Sequence, residues 1–404
     1  MFTFWNPARL RYPMQMTAPA VMLAGMLSAS SAMAVDLSET VQLHGFASQA
    51  YVKTSGNKFF GPSDSGSFNF RELGANLSWQ AMPMIQFAAQ AGSRKAGGTE
   101  VNAKPRFDYA LVDLTPLSGE RGRAGVRGGR YKIPIGFYNL TRDVANARPS
   151  IFLPESIYND GGRLLVLAMD GGEVYGEIRT AIGDFFLDYG KGKFILDDLA
   201  RQSYRTTDGM VWRLMYERDA GLFRLAATKI DANVDVLQPT FQDAKLNLNL
   251  YLYSAQYNAE KWSLTGEYVP EAVGTFAGLV IPLAPGVGIM LPEIVQKGDA
   301  YYLQGTYRFT PKWEALLRYD AHYRDKNDRS GVQYAAANAG KPAYSQFTKD
   351  WTAGITWNVR PDTKIRAEWH RVNGTSWLSA RENPLPATTK QHWDMFALQA
   401  SYSF

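Results

Sequence analysis

Along most of the chain, apolar and polar side chains alternate with a period of two. In "MVWRLMYER", Met210, Trp212, Leu214 and Tyr216 take one parity while Val211, Arg213, Met215 and Glu217 take the other. In "WEALLRYDAHYRD", Trp313, Ala315, Leu317, Tyr319, Ala321 and Tyr323 oppose Glu314, Leu316, Arg318, Asp320, His322 and Arg324. The same order governs Trp351, Ala353, Ile355, Trp357 and Val359, and again Ile365, Ala367 and Trp369 against Arg366, Glu368 and His370. Successive side chains of an extended backbone point to opposite faces, so this period predicts strands and not helices. The stretches run to about ten residues, longer than the usual five or six of globular sheets and right for a tilted membrane crossing.

The connections alternate in length as well. Short turns at 80–84, 180–184, 219–221, 258–261, 310–312 and 360–362 interleave with long polar loops such as "TSGNKFFGPSDSG" and "NGTSWLSARENPLPATTK". Short turns on one side and long loops on the other are the plan of an outer-membrane barrel, with the short ones periplasmic. The expectation is therefore an all-β fold, a transmembrane antiparallel β-barrel of about sixteen strands, a size that leaves an aqueous channel inside. Gly-rich "LVLAMDGGEVYG" and residues 231–245 leave the strand count open by two.

Composition supports that reading. Residues 1–34 carry Arg9 and Arg11, then the apolar "APAVMLAGML", then Ala32-Met33-Ala34 before "VDLS", the order of a cleaved export signal. Residues 35–404 would form the barrel. The 404-residue chain has no cysteine, which removes any disulfide framework or Cys-ligated zinc. Mean hydropathy is −0.26, and no mature segment is an apolar run of spanning length, which excludes a helical membrane protein. Cleavage would lower the formal net charge from +5 to +3, too little for a nucleic-acid partner.

Positive charge concentrates in one strand. "RAGVRGGRYKIPIGFYN" carries Arg123, Arg127, Arg130 and Lys132, and Gly128-Gly129 would let a bulge turn all four toward the lumen, with Tyr131 and Ile133 facing outward. About 26 residues without alternation follow, a length that is usually functional. Their apolar "SIFLPESIY" is expected to fold inward and pack on the barrel wall.

Here the sequence resembles Gram-negative porins, in particular the phosphate-selective porin O and P-like group. The likeness lies in "GGRYKIPIGFYNLTRDVANARPSIFLPESIY", a Gly-Arg-aromatic-Lys-x-Pro-x-Gly strand end leading into a constriction loop, and extends loosely over the barrel. It implies a homotrimeric pore narrowed by its third extracellular loop, residues 138–163. It does not imply phosphate, because that loop is charge-neutral, with Arg142, Arg148 and Arg163 against Asp143, Glu155 and Asp160. The expected pore-lining set is Arg123, Arg127, Arg130, Lys132, Arg142, Asp143, Arg148 and Glu155.

The last strand, "DMFALQASYSF", puts Phe396, Leu398, Ala400, Tyr402 and Phe404 on one parity and ends on an aromatic ring. It resembles the C-terminal signal that the barrel-assembly machinery recognises in outer-membrane proteins. Catalysis is not expected: His44, His322, His370 and His392 accompany neither a G-x-S-x-G elbow nor an HExxH motif. No cofactor or metal is implied. The apolar loop "GTFAGLVIPLAPGVGIMLPEIVQKG", 274–298, is the exception to a simple pore and raises the alternative of a facilitator for hydrophobic compounds. The resulting expectation is a passive outer-membrane porin for small polar, anionic solutes, surrounded by membrane lipid and lipopolysaccharide.

Overall fold

A computed structural model describes residues 35–98, 103–161, 163–196, 203–238, 241–284 and 286–404. The expected export signal, 1–34, lies outside the described residues. Sixteen strands close one antiparallel barrel: β1 Val41–Thr54, β2 Ser67–Met82, β3 Ile85–Ala96, β4 Arg106–Gly119, β5 Gly122–Lys132, β6 Ala168–Thr180, β7 Gly183–Phe194, β8 Tyr204–Arg218, β9 Phe223–Val236, β10 Ala244–Asn258, β11 Trp262–Ala277, β12 Ile294–Thr310, β13 Trp313–Tyr323, β14 Phe347–Arg360, β15 Thr363–Gly374 and β16 His392–Ser403. A short strand, Val35–Ser38, pairs with the start of β1. Each strand pairs with its sequence neighbours, and β16 returns to β1 in a register that sets Ala400 opposite Gln49. Both ambiguous regions resolve into strands, β6 and the facing ends of β9 and β10.

The alternation holds. On β8, Leu214 is 49% exposed while Val211, Arg213 and Met215 are buried; on β13, Leu317 is 57% exposed while Arg318 and Asp320 are buried. The exposed parity is the apolar one, the reverse of a water-soluble sheet. A bilayer supplies no hydrogen bonds, so a closed sheet with apolar side chains outward is the form a strand-built membrane protein can take. Near the short turns the outer wall carries aromatic pairs: Trp313 stacks on Trp357 at 5.6 Å and Trp79 on Phe87 at 5.3 Å. Such rings suit the boundary between hydrocarbon and water.

At the opposite end β10, β11 and β12 stay paired as far as Lys245–Ala277 and Phe276–Ile294. The register slips where Pro270, lacking an N–H, enters β11. Beyond them Val280–Ala284 and Val287–Met290 form a hairpin whose Ile281, Leu283, Ile289 and Met290 are exposed.

The seam of the barrel depends on the last residue. Phe404 exchanges backbone hydrogen bonds with Gly45, at 3.0 and 2.9 Å, and its ring occupies the space a Cβ on Gly45 would need, 2.3 Å away. Replacing Phe404 with Asp is expected to reduce assembled barrel severely, and Gly45→Val to do so by displacing the same ring. The measurement is the fraction of heat-modifiable, membrane-inserted protein on unboiled gels.

Candidate functional site

The site is built by the segment between β5 and β6. Pro134 cannot continue the ladder, and Gly136 then takes φ +53, where a Cβ would lie 2.3 Å from the Tyr158 hydroxyl and 2.4 Å from Glu267 Oε1. Glu267 of β11 pins this corner, accepting hydrogen bonds from Phe137 N at 3.0 Å, Tyr158 Oη at 2.6 Å and Tyr302 Oη at 2.8 Å.

From there the chain is held by inward-facing charges of strands far apart in the barrel. Arg366 of β15 donates to the carbonyls of Ala145 and Arg148 at 3.1 and 2.9 Å, and Arg318 of β13 to Ser150 Oγ and the Phe152 carbonyl at 3.2 and 3.1 Å. Glu368 accepts from Ile151 N at 2.5 Å, and Asn146 reaches Ser403 of β16 at 2.7 Å. On the other flank Arg148 pairs with Glu72 of β2 at 2.5 Å, and Arg94 of β3 with Asp160 at 2.6 Å. The segment thus bonds to side chains of β2, β3, β13, β15 and β16. Its Ile151 and Phe152 are buried with Phe59, Phe60 and Phe70, so the apolar part of the loop packs where water would penalise its exposure.

The inner wall formed by β4 to β9 is arranged differently. Its charges pair with each other across neighbouring strands: Arg123 with Glu177 at 2.8 Å, Arg127 with Asp113 at 3.0 Å and Glu173 at 2.7 Å, Arg213 with Asp188 at 2.8 Å, and Arg224 with Glu217 at 3.2 Å. Arg123 and Arg127 remain about a fifth exposed. Arg179 also pairs with Glu177, at 2.7 Å, so five guanidinium groups meet five carboxylates and these pairs carry no positive surplus.

The residues expected from the sequence therefore divide. Arg123 and Arg127 belong to the inner wall. The β4–β5 and β5–β6 registers run unbroken through Gly128 and Gly129, paired with Gly172 and Gly171, and no bulge re-aims the strand. Arg130 shares the parity of exposed Val126 and lies on the outer face, bonded to Asp170 at 2.7 Å. Tyr131 and Ile133, expected outward, are buried instead with Val211, Ile230 and Leu252 inside the barrel. Lys132, at the strand end, reaches Asp143 at 2.6 Å. Arg142, Arg148 and Glu155 are buried in the loop, and Glu155 accepts from Asp160 N at 2.9 Å. Burial, then the neighbouring Asp160, pushes the Glu155 carboxyl up to about 8. At the seam, Phe396 and Tyr402 lie exposed on the outer wall. The loop anchors Glu267, Glu72 and Arg94 were not anticipated. Their only sequence signal is a charged residue on the inward parity.

Among the described residues the histidines do not assemble a hydrolytic triad. His322 Nδ1 lies 2.8 Å from Ser376 Oγ, but the carboxylate that orients such a pair is absent among its described contacts, and His370 is held separately by Asp350 at 2.7 Å.

No protein-family model and no curated protein matches this sequence. Solved structures of bacterial outer-membrane proteins do share its fold. OmpF of Salmonella typhi, in complex with daunomycin, is 14% identical with a TM-score of 0.55, covering 92% of this chain and 100% of its own. The outer-membrane channel DcaP of Acinetobacter baumannii is 13% identical with a TM-score of 0.53, covering 90% and 97%. A trimer form of OmpT from Vibrio cholerae is 12% identical with a TM-score of 0.55, covering 90% and 99%.

The clamp predicts a measurable change. Arg318→Met removes the donor to Ser150 and Phe152 and leaves buried Asp320 with one fewer counter-charge, a loss of about 3 kcal/mol. Single-channel recordings are expected to show a larger, noisier conductance, while heat-modifiability shows the barrel still assembled.

Proposed function

We propose that this chain is a bacterial outer-membrane porin, a water-filled channel for passive diffusion of small polar solutes. The supporting observation is the division of the interior. A loop clamped by wall charges narrows one side, and a wall of solvent-touching, mutually paired charges lines the other. A sixteen-stranded barrel is wide enough for water to remain inside. Paired charges on neighbouring strands set a local field that orients dipolar solutes without trapping them.

The anion preference expected from the β5 stripe has no charge surplus to rest on along this wall. Anionic solutes are admitted on this reading by size, and phosphate has no dedicated site. The protein acts without chemistry on its permeant and carries no cofactor. It assembles as a homotrimer, consistent with the trimer form of the Vibrio OmpT barrel, and its outer wall meets lipid and lipopolysaccharide. The barrel-assembly machinery engages β16. Export through a cleaved 1–34 signal belongs to the same proposal.

A second reading, a facilitator for hydrophobic compounds, is favoured by the exposed apolar hairpin at 280–290. Excising 279–291 separates the two. Loss of uptake of an apolar compound with unchanged ion conductance supports the facilitator.

Reversal potentials in planar bilayers under a salt gradient test the wall. Arg123→Gln with Arg127→Gln leaves Asp113 and Glu173 without their guanidinium and Glu177 with Arg179 alone, and the potential is expected to shift toward cations, most strongly at low salt where the Debye length is long. Arg130→Gln, on the outer face, is expected to leave it unchanged.

A further inference from the structure

The outer wall is not evenly filled. Where β9, β10 and β11 run side by side, Ala255 stands opposite Gly266, and Ala227 lies one row above, opposite Tyr253. These small residues sit among exposed Leu225, Tyr253 and Tyr268 and leave a groove of about 830 Å³. That volume is within the range that holds a whole small ligand. The groove faces the bilayer, and Tyr301 and Arg329 bound it on the extracellular side.

Aromatic rings mark the depth of this end. Tyr301, Tyr319 and Trp351 form one row along the outer wall, with ring centres 6.2 and 4.8 Å apart. Lys349 shares the parity of exposed Trp351, and roughly 26 Å of tilted strand separates it from Trp357 of the opposite belt. The apolar band of such a barrel is about 25 Å tall, so Lys349 stands at its extracellular edge, where headgroups begin.

Arg329 reaches the same level from the loop after β13. Its guanidinium lies 5.0 Å from the centre of the Tyr323 ring, and the Lys349 ammonium lies 5.8 Å from it. Asp299 takes Arg329 Nη2 at 2.6 Å and Nε at 3.3 Å, which leaves Nη1 without a partner among the described residues. Arg329 remains half exposed. Lys349 contacts the Tyr323 and Phe347 rings and makes no ion pair among the described residues. The neighbouring carboxylates are engaged elsewhere. Glu271 holds Lys297 and Lys326, Asp328 accepts from Ser330 Oγ and the Tyr334 amide, and Asp325 from the Asn327 amide.

We propose that this face binds one phosphorylated lipid of the outer leaflet, the lipid A part of lipopolysaccharide. A phosphate lies between Arg329 and Lys349 beside Tyr323, and an acyl chain lies along Ala227, Ala255 and Gly266. The layout fixes the class, because an apolar groove below the ring row and two cations above it match a molecule with chains and an anionic head. Basic side chains at the membrane surface recruit anionic lipid in this way. A second barrel is convex and would bridge the groove, whereas a flexible chain fills it. The proposal rests on the reading that the outer wall meets lipopolysaccharide, and ion conduction plays no part in it.

The test uses the full barrel in detergent, titrated with bisphosphorylated lipid A and with its dephosphorylated form, and read by native mass spectrometry. The unaltered protein is expected to prefer the phosphorylated form. Lys349→Gln should weaken that binding about fivefold and leave the dephosphorylated form unaffected. Gly266→Leu should weaken both, since a Cβ there meets Leu303 and the Tyr302 carbonyl at an ordinary 3.5 Å and the longer side chain fills the groove. Should Gly266→Leu fail to assemble, Lys349→Gln decides alone. Conductance in planar bilayers should be unchanged in both variants, so this proposal and the channel reading fail separately. Equal binding by the variants and the unaltered protein overturns the proposal, as does equal binding of the two lipid forms. Loss of the oligomer in lipid-free detergent on either substitution assigns the face to a second copy of the chain and overturns it too.

Discussion

Every feature of this molecule follows from the need to pair each backbone N–H and C=O without help from solvent. In hydrocarbon an open sheet edge is prohibitive, so the last strand must find the first. The ladder from Met395–Thr54 to Ser403–Phe46, extended by Phe404 and Gly45, makes that closure, and everything between is consequently fixed in parity. Once the sheet is closed, alternation assigns one set of side chains to lipid and the other to an enclosed space. That space is large enough to need filling or wetting, and the chain does both.

The filling is the segment between β5 and β6. A loop inside a barrel brings in its own unpaired carbonyls and amides, and these must be matched by side chains of the wall. Arg366, Arg318, Glu368 and Glu267 do this with charged groups, whose hydrogen bonds are stronger than neutral ones. The wet part is the wall of β4 to β9, where the charges answer one another across neighbouring strands. One population of ionised residues therefore performs two different tasks, divided by position around the ring.

Much of this was legible beforehand. Leu214 against Arg213 and Leu317 against Arg318 announce both faces of their strands, because period two is a local property. The apolar content of "SIFLPESIY" announces a buried segment, and Ile151 and Phe152 are buried with Phe59, Phe60 and Phe70. Which wall residues meet that loop was not legible, since Arg318 bonds to Ser150 across 168 positions of sequence and Glu368 to Ile151 across 217. Tyr131 shows the other limit. An apolar residue on a barrel strand reads as lipid-facing, yet this one is buried at 1% exposure because the loop makes part of the interior apolar as well. The Gly128-Gly129 pair misleads similarly. Alone it suggests a bulge, but Gly171 and Gly172 stand in register opposite, and the ladder runs through although Gly129 takes φ +114.

The loop's own ledger of charge has an electrical consequence. Between 138 and 163 it carries three arginines and three carboxylates. A transmembrane potential acts on a moving element only through the net charge displaced, about 2.3 kcal/mol per elementary charge for each 100 mV. With Glu155 ionised the segment is neutral and moves almost none; with Glu155 protonated, which its raised carboxyl favours near neutral pH, it carries one net positive charge. Whatever purchase voltage has on this loop is therefore set by the proton on one buried carboxyl.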